Sequence, residues 1–515
     1  MVEITARELA EVTGGRLIAS ETDARRVASG VTIDSRNVVD GEIFFAFGGE
    51  HVDGNDYCAA AIRSGAGAVV ATREPSEGVT ALAGEFACPL VVVDDAGEAM
   101  WALAGWWRRK LRAIVVGVTG SVGKTTTKDL VASVLSRRYK THATEGNHNN
   151  ELGVPLTILT ADLDTEALVV EMGMRGEGQI ASLAGLAHPG IGVVTTIGWS
   201  HIELLGSREA IARAKGELLE SLPKRGTAVV NADDEMTGAL LAQMGEGGAR
   251  VLSFGLGESG GAGESGGGDA ADEQNRISAT GSGGSHRLGE SGESLGTPDV
   301  TARSISFDEA GCATFSLVAE GAGSADVTLA LAGLHAVRNA LAAAAVGVAL
   351  GLDVTDIACG LSQTRPAGMR MQIEKSPAGA TIVNDAYNAN PDSMLAALDT
   401  LAEMSCAGRR VAVLGDMGEL GDLAADLHRE VGAHAASLSS AGALDELVCV
   451  GELAGHIADG AVDAGMPAES VCRFETVGAA SEYLCGEGGP RRGDVVIVKA
   501  SRFMELERLA ERLVS

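Results

Sequence analysis

Short apolar runs alternate with amphipathic stretches along most of the chain, in three successive blocks. In the first block, GEIFFAF (41–47), GAVVAT (67–72) and LVVVDD (90–95) read as buried strands. WALAGWWRRKL (101–111) reads as a helix leading out of the block. The second block opens with AIVVGV (113–118). After it comes TTTKDLVASVLSRRYK, in which Leu130, Val131, Val134 and Leu135 make a helical stripe. ALVVEMG (167–173), IGVVTTIG (191–198) and GTAVVNADD (226–234) are further strand candidates, and ALAAAAVGVALGL (340–352) reads as a buried helix. The third block carries TIVNDAY (381–387), RRVAVLGD (409–416), ELVCVG (446–451) and DVVIVKA (494–500), each followed by a helix-like segment. Strands alternating with helices predict an α/β protein whose parallel sheets are covered on both faces. The expected units are 1–112, 113–364 and 365–515, the last of them Rossmann-like although it has no GxGxxG.

One stretch breaks the pattern. Residues 255–298 are glycine, serine and acid with almost nothing apolar. Such a segment buries too little surface to offset chain entropy, so it is expected to be a flexible surface insertion.

Composition narrows the reading. A chain of 515 residues, 45% hydrophobic, has material for several cores. Its 40 basic against 70 acidic residues leave a net charge of −30, which disfavours a nucleic-acid partner and favours solubility. Eight cysteines with no C-x-x-C pair suggest neither a zinc site nor a disulfide framework. They fit reduced thiols of a cytoplasmic protein. The start, MVEITARELAEVTGG, is acidic and amphipathic, unlike a secretory signal. The run at 340–352 is too short and too rich in alanine to span a bilayer. No membrane insertion is expected, and the chain is expected to be a monomer.

The chemistry concentrates at GVTGSVGKTTTKDL (117–130), between a strand and a helix. In that setting the backbone of Gly120, Ser121, Val122 and Gly123 presents N–H groups to a phosphate chain. The helix N-terminus favours an anion, Lys124 adds a point charge, and Thr125 or Thr126 offers a hydroxyl to Mg²⁺. The usual pattern of such loops would need a glycine where Val118 stands. Ligands of open α/β sheets lie past the carboxyl ends of strands. Glu171 and His201 occupy such places. Each can reach the loop as a metal ligand, or serve as a helix-cap partner and a surface residue respectively. Lys215, in REAIARAKGELL, lies on an amphipathic helix, where a lysine belongs to the solvated face. Asn147, Asn149 and Asn150, in the polar loop THATEGNHNNELGVP, suit phosphate or sugar, or form a plain turn cluster.

These motifs form a recognisable set. TGSVGKTTTK, TEGNHNNELGVP, VVEMG, IGWSHIELLGS, ARAKGEL and NADD, in this order, resemble the ATP-dependent Mur ligase family. GLHAVRNALAAAA resembles that family's adenine-contacting helix. GMRMQ, NDAYNANPDSM, LGDMGELG and VKASR resemble the C-terminal domain of one branch. The resemblance covers nearly the whole chain apart from the insertion. It implies three domains: an N-terminal domain for the UDP end of a substrate, a central ATP-binding domain and a C-terminal Rossmann-like domain. It also implies a reaction, in which ATP activates a carboxylate of UDP-muramyl-tripeptide as an acyl phosphate and the amine of D-alanyl-D-alanine attacks it.

By the same resemblance, Lys124 meets the β- and γ-phosphates, and Thr125, Glu171, His201 and a carbamylated Lys215 serve Mg²⁺. His335 and Asn339 meet adenine, while Arg370 and Asp385 meet phosphate and ribose. Ser35 and Arg36, in DSRNVVDGEIFFAFGGEHVDG, are expected at the UDP end. Asn147, Asn149, Asn150, Tyr387, Asn388, Asn390, Ser393, Lys499 and Arg502 are expected near the substrates. The sequence departs from the family pattern at Thr196, where asparagine is expected, at Ala500, where glycine is expected, and in the spacing of Gly368 from Arg370. A sister ligase adding a diamino acid would carry a DNPR-type motif. DAYNANP stands in that region instead.

Overall fold

The computed structural model describes residues 1–49, 52–244, 248–256, 297–366 and 368–515. Most of the expected insertion, 257–296, lies outside the described residues.

Three larger sheets carry the chain. In the first, the strands run in the order Arg16–Ile18, Leu90–Val92, Ala68–Ala71, Ile43–Phe45, Val31–Thr32, parallel except for Arg16–Ile18. The expected strands are present but shorter. The exit helix begins earlier than the apolar run suggested, at Ala96–Arg108, because the Asp95 carboxylate caps the Glu98 amide at 2.8 Å. Trp107 of this helix is buried, and its indole donates to the Ala161 carbonyl at 2.9 Å, tying the first unit to the second.

The second sheet has nine strands, of which seven neighbours pair in parallel: Val300–Phe307, Arg250–Phe254, Thr227–Asn231, Ile191–Val194, Ile114–Thr119, Ala167–Glu171 and Thr141–Ala143. Ile114–Thr119 lies mid-sheet. Its alternate residues enter different cores. Val116 and Val118 pack in the cluster with Leu130, Val131 and Val134 and the helix Leu334–Ala349, while Val115 joins the opposite face. Both faces being covered explains why the run is apolar throughout. Successive strands leave Ile114–Thr119 to either side, so the loop that follows it opens at a switch point of the sheet. The sequence reading named no strands at 300–332. The chain there forms three antiparallel strands, Val300–Phe307, Cys312–Ala319 and Gly323–Ala332. They alternate between buried and exposed positions, the period-two signature of a sheet with one face in the core.

The third sheet runs Gln372–Lys375, Thr381–Asn384, Val495–Lys499, Arg410–Gly415, Glu446–Val450, Val471–Phe474. The four inner strands match the expected runs. The two edge strands are short and half exposed, and so lack the apolar signal. The helix Pro391–Glu403 starts from a capping box in which Asn390 and Ser393 exchange hydrogen bonds, with proline at its first turn.

Candidate active site

The loop Gly120–Gly123 joins Ile114–Thr119 to the helix Lys124–Leu135. Both glycines are required. Gly120 has φ 149°, and a Cβ there would lie 1.9 Å from Thr195 Oγ1. Gly123 has φ 85°, and a Cβ there would lie 2.3 Å from Asn339 Oδ1. The neighbouring loop braces this one. The Ser121 amide donates to the Thr196 carbonyl at 2.8 Å, and Thr195 Oγ1 donates to the Val122 carbonyl at 2.5 Å. Thr196, one of the departures from the family pattern, accepts from the Val122 amide at 3.4 Å. That second loop is in turn held by NADD: Asn231 Nδ2 donates to the Thr195 carbonyl at 3.1 Å, and Asp234 accepts from the Ile197 amide at 2.6 Å. Lys124 Nζ curls back onto the loop, 2.7 Å from the Gly120 carbonyl. Burial lowers its pKa, against the opposing charge of Glu171.

Glu171 ends the strand Ala167–Glu171 and is buried. Asn149 Nδ2 donates to its Oε1 at 2.7 Å, while Oε2 has no partner. Asn149 is therefore partly a positioning group for Glu171. Asn147 and Asn150 also line the cleft, and Asn150 Oδ1 accepts from the Gly153 amide at 3.0 Å. His201 caps a short helix in left-handed backbone, φ 65°. Its Nδ1 is buried, 2.6 Å from Glu419 Oε2 but not aligned for a hydrogen bond.

Lys215 corrects the sequence reading. It is 1% exposed, not solvated, and among the described residues it makes no ion pair. Its helix, Arg208–Glu220, packs that face against the sheet, so the lysine points into the protein. Burial, with the charge of Lys124 added, drives its pKa well below the usual lysine value.

The third sheet supplies the opposite wall. Arg370 stacks on the Tyr387 ring, 3.9 Å from its centroid. It lies between Met369 and Met371, both with positive φ. Asp385 pairs with buried Lys499 at 2.6 Å, and Lys499 also donates to the Asn388 carbonyl at 3.0 Å. The Asp385 carboxylate thus already has a cation. Asn390 Nδ2 donates to Ser200 Oγ at 2.5 Å, and Asp392 accepts from the Trp199 amide at 3.0 Å, so this helix end abuts the second unit. Arg502 pairs with Glu507 at 2.5 Å and also lines the cleft.

These walls enclose a cleft of about 1450 Å³. It gathers Ser121 to Thr126, Glu171, His201, His335, Asn339, Arg370, Asp385, Tyr387, Asn388, Asn390 and Ser393. Lys215 is not among its lining residues. Ser35 and Arg36 are not among its lining, and Arg36 instead folds onto Asp34 at 2.8 Å. The sequence reading missed Arg175, Glu419, Gln179 and Phe503, all on the rim. Only the LGDMGELG motif pointed to any of them.

Ser121 Oγ, Glu171 Oε2, His201 Nδ1 and His335 Nδ1 are buried without a hydrogen-bond partner, and all four belong to cleft residues. Open buried polar atoms on cleft residues suit contact with a bound ligand or, for His201 Nδ1, with the adjacent Glu419 carboxylate. The open Oε2 of Glu171 and the Thr125 hydroxyl both belong to cleft residues and are hard oxygen donors of the kind that suits Mg²⁺. Among the described residues no three His, Cys, Asp or Glu side chains come together as a metal site.

Comparison with known proteins agrees with this geometry. Residues 118–347 match the family model described as "Mur ligase middle domain", 369–502 "Mur ligase, glutamate ligase domain", and 27–99 "Mur ligase family, catalytic domain". A UDP-N-acetylmuramoyl-tripeptide–D-alanyl-D-alanine ligase of Mycobacterium leprae is 35% identical, covering 100% of this chain and 99% of its own. The Bacillus subtilis protein of that name is 32% identical with the same coverage. Among solved structures, MurF from Acinetobacter baumannii aligns with TM-score 0.80 at 28% identity, over 100% of this chain and 99% of that one. MurF ligase from Thermotoga maritima, in complex with ADP, aligns with TM-score 0.72 at 25% identity, over 94% and 97%. With its phosphate loop, its buried Glu171 and Lys215 and its facing third sheet, the chain belongs to the Mur ligase family.

Proposed function

We propose that this protein is an ADP-forming amide ligase that joins D-alanyl-D-alanine to UDP-N-acetylmuramoyl-tripeptide, in peptidoglycan precursor synthesis. One observation carries the reading: a phosphate loop and a half-satisfied buried carboxylate face Arg370 and the Asp385–Lys499 pair across one cleft. Full-length similarity to ligases of that name supplies the substrates.

The roles follow from charge and position. The loop amides and Lys124 hold the β- and γ-phosphates and stabilise the charge that shifts between them. Thr125, Glu171 and His201 would hold Mg²⁺, which offsets the repulsion between the γ-phosphate and the substrate carboxylate. Burial pushes the pKa of Lys215 well down, which favours the free amine that can add to CO₂ with loss of one proton. The resulting carbamate would place an anion where the free amine carried no charge. Asn339 and His335 receive adenine. Arg370, aimed by Tyr387, meets the transferred phosphoryl group. The substrate carboxylate attacks the γ-phosphorus and ADP leaves. The dipeptide amine then adds to the acyl phosphate, loses a proton and expels phosphate. Closure of the third unit over the second keeps water from the acyl phosphate.

We also assign 1–112 to the UDP end, with Ser35 and Arg36, then 113–364 to ATP and 365–515 to the dipeptide. A cytoplasmic location belongs to this proposal; among the described residues no helix is long and apolar enough to cross a membrane.

The test is phosphate release with ATP, Mg²⁺, D-alanyl-D-alanine and UDP-muramyl-tripeptide, in lysine and diaminopimelate forms. Release that needs both substrates, with a product heavier by the dipeptide less water, is expected. Nucleotide binding without such release would overturn the assignment, and release with a single amino acid would indicate a sister ligase.

A further inference from the structure

Glu419 lies in the loop after the strand Arg410–Gly415, in left-handed backbone at φ 61°. Non-glycine residues rarely hold that conformation unless their surroundings impose it. Here they do. Met417 and Leu420, on either side, are fully buried, and the Gly418 amide donates to Ser501 Oγ at 2.9 Å. The loop is thus fixed to the third unit, yet its tip touches the second. The Glu203 amide donates to the Glu419 carbonyl at 3.3 Å. The carboxylate lies between two groups of the second unit, with Oε2 2.6 Å from His201 Nδ1 and Oε1 3.7 Å from Arg175 Nη2.

A neutral imidazole has one donor nitrogen and one acceptor, and the partner of one decides the role of the other. Among the described residues nothing hydrogen-bonds His201 Nδ1, and the Glu419 carboxylate stands against it. A small turn of the ring would align the pair. A carboxylate can only accept, so it would select the tautomer with the proton on Nδ1 and leave Nε2 with its lone pair, on a side chain that lines the cleft.

We propose that Glu419 is the positioning residue for His201, fixing its Nδ1–H tautomer and ring orientation, with Arg175 steadying the carboxylate from its other side. Because Glu419 and His201 belong to different units, His201 is prepared to bind only when the third unit is docked. Closure and completion of the site thereby become one event. This deepens the ligase reading and rests on it for the purpose that His201 serves.

The test is a nitrogen spectrum of the full chain labelled with ¹⁵N-histidine, with Mg²⁺ and a non-hydrolysable ATP analogue, assigning His201 by its loss in His201→Gln. The wild type should show the Nδ1–H pattern. Glu419→Gln, whose amide oxygen still accepts, should keep it, and Glu419→Ala should lose it. In turnover, Glu419→Ala should raise the Mg²⁺ needed for half-maximal rate about 10–100-fold, the usual cost of losing a carboxylate behind a metal-binding histidine, with Glu419→Gln closer to wild type. An Nε2–H wild type, or a Glu419→Ala spectrum unchanged from wild type, would overturn the proposal. Should Glu419→Ala fail to fold, the wild-type spectrum still decides, because an Nε2–H pattern there overturns the proposal. The spectrum needs no turnover. An Nδ1–H His201 in a protein that releases no phosphate would therefore sink the ligase reading alone.

Discussion

Replacing Lys215 with methionine separates stability from function. The lysine is 1% exposed and among the described residues has no anionic partner, so the fold carries the desolvation of an amine that water would protonate. Its folded pKa lies well below its unfolded value of about 10.4. The unfolded chain therefore binds the extra proton, and Lys215 destabilises the fold. The penalty is full below the folded pKa and fades as pH rises through it toward the free-lysine value. Methionine has similar length and no charge. Exchanges of buried ion pairs for apolar groups of like volume gain about 1–4 kcal/mol, and this single amine should lie at the lower end, about 1 kcal/mol. For a unit of 150–250 residues, each kcal/mol moves the midpoint by about 2–4 °C. We expect Lys215→Met to melt higher than wild type by scanning calorimetry in CO₂-free buffer, most clearly at low pH and converging near pH 10. Phosphate release should nevertheless fall at least about 10²-fold, the scale of removing one preorganised electrostatic group. A variant that melts lower and loses activity only in proportion would refute the reasoning, because Lys215 would then be an ordinary packing residue. Added bicarbonate should narrow the stability gap by stabilising only the wild type.

Three further outcomes follow from other parts of the structure. Gly123→Ala places a Cβ 2.3 Å from Asn339 Oδ1 at φ 85°. The left-handed backbone alone costs about 1–2 kcal/mol, so ATP-analogue affinity by calorimetry should drop about tenfold or more; unchanged affinity would show that the loop can rearrange. Asp385→Ala leaves Lys499, 3% exposed, as an unpaired buried cation. It should destabilise the third unit by about 3–5 kcal/mol in urea unfolding, whereas Asp385→Ala with Lys499→Met should recover much of the loss. His428 is buried, with Nε2 accepting from the Met417 amide at 3.0 Å, and burial lowers its pKa. Its contribution is whole above the unfolded value of about 6.5 and is lost as pH falls below it, so the urea midpoint of the third unit should decline from pH 6.5 toward 5. His428→Gln should flatten that slope.

Much of the inner architecture was legible because parallel strands covered on both faces must be apolar at every position. Val115, Val116 and Val118 announce a central strand without any knowledge of their neighbours. The phosphate loop was legible for a similar reason, since only glycine tolerates the backbone at 120 and 123. Edge strands escaped notice because half-exposed residues carry little pattern, and the antiparallel strands at 300–332 because their signal is alternation, not a run. Sequence determined which groups could handle phosphate. It misjudged Lys215, because helical periodicity gives the direction of a side chain but not what lies in that direction. Only the tertiary structure decided that this lysine is buried without an anion, that Asp385 is already paired with Lys499, and that Glu419 reaches His201 from more than 200 residues along the chain. Those facts depend on how separately folded sheets face one another, and no local stretch of residues encodes that.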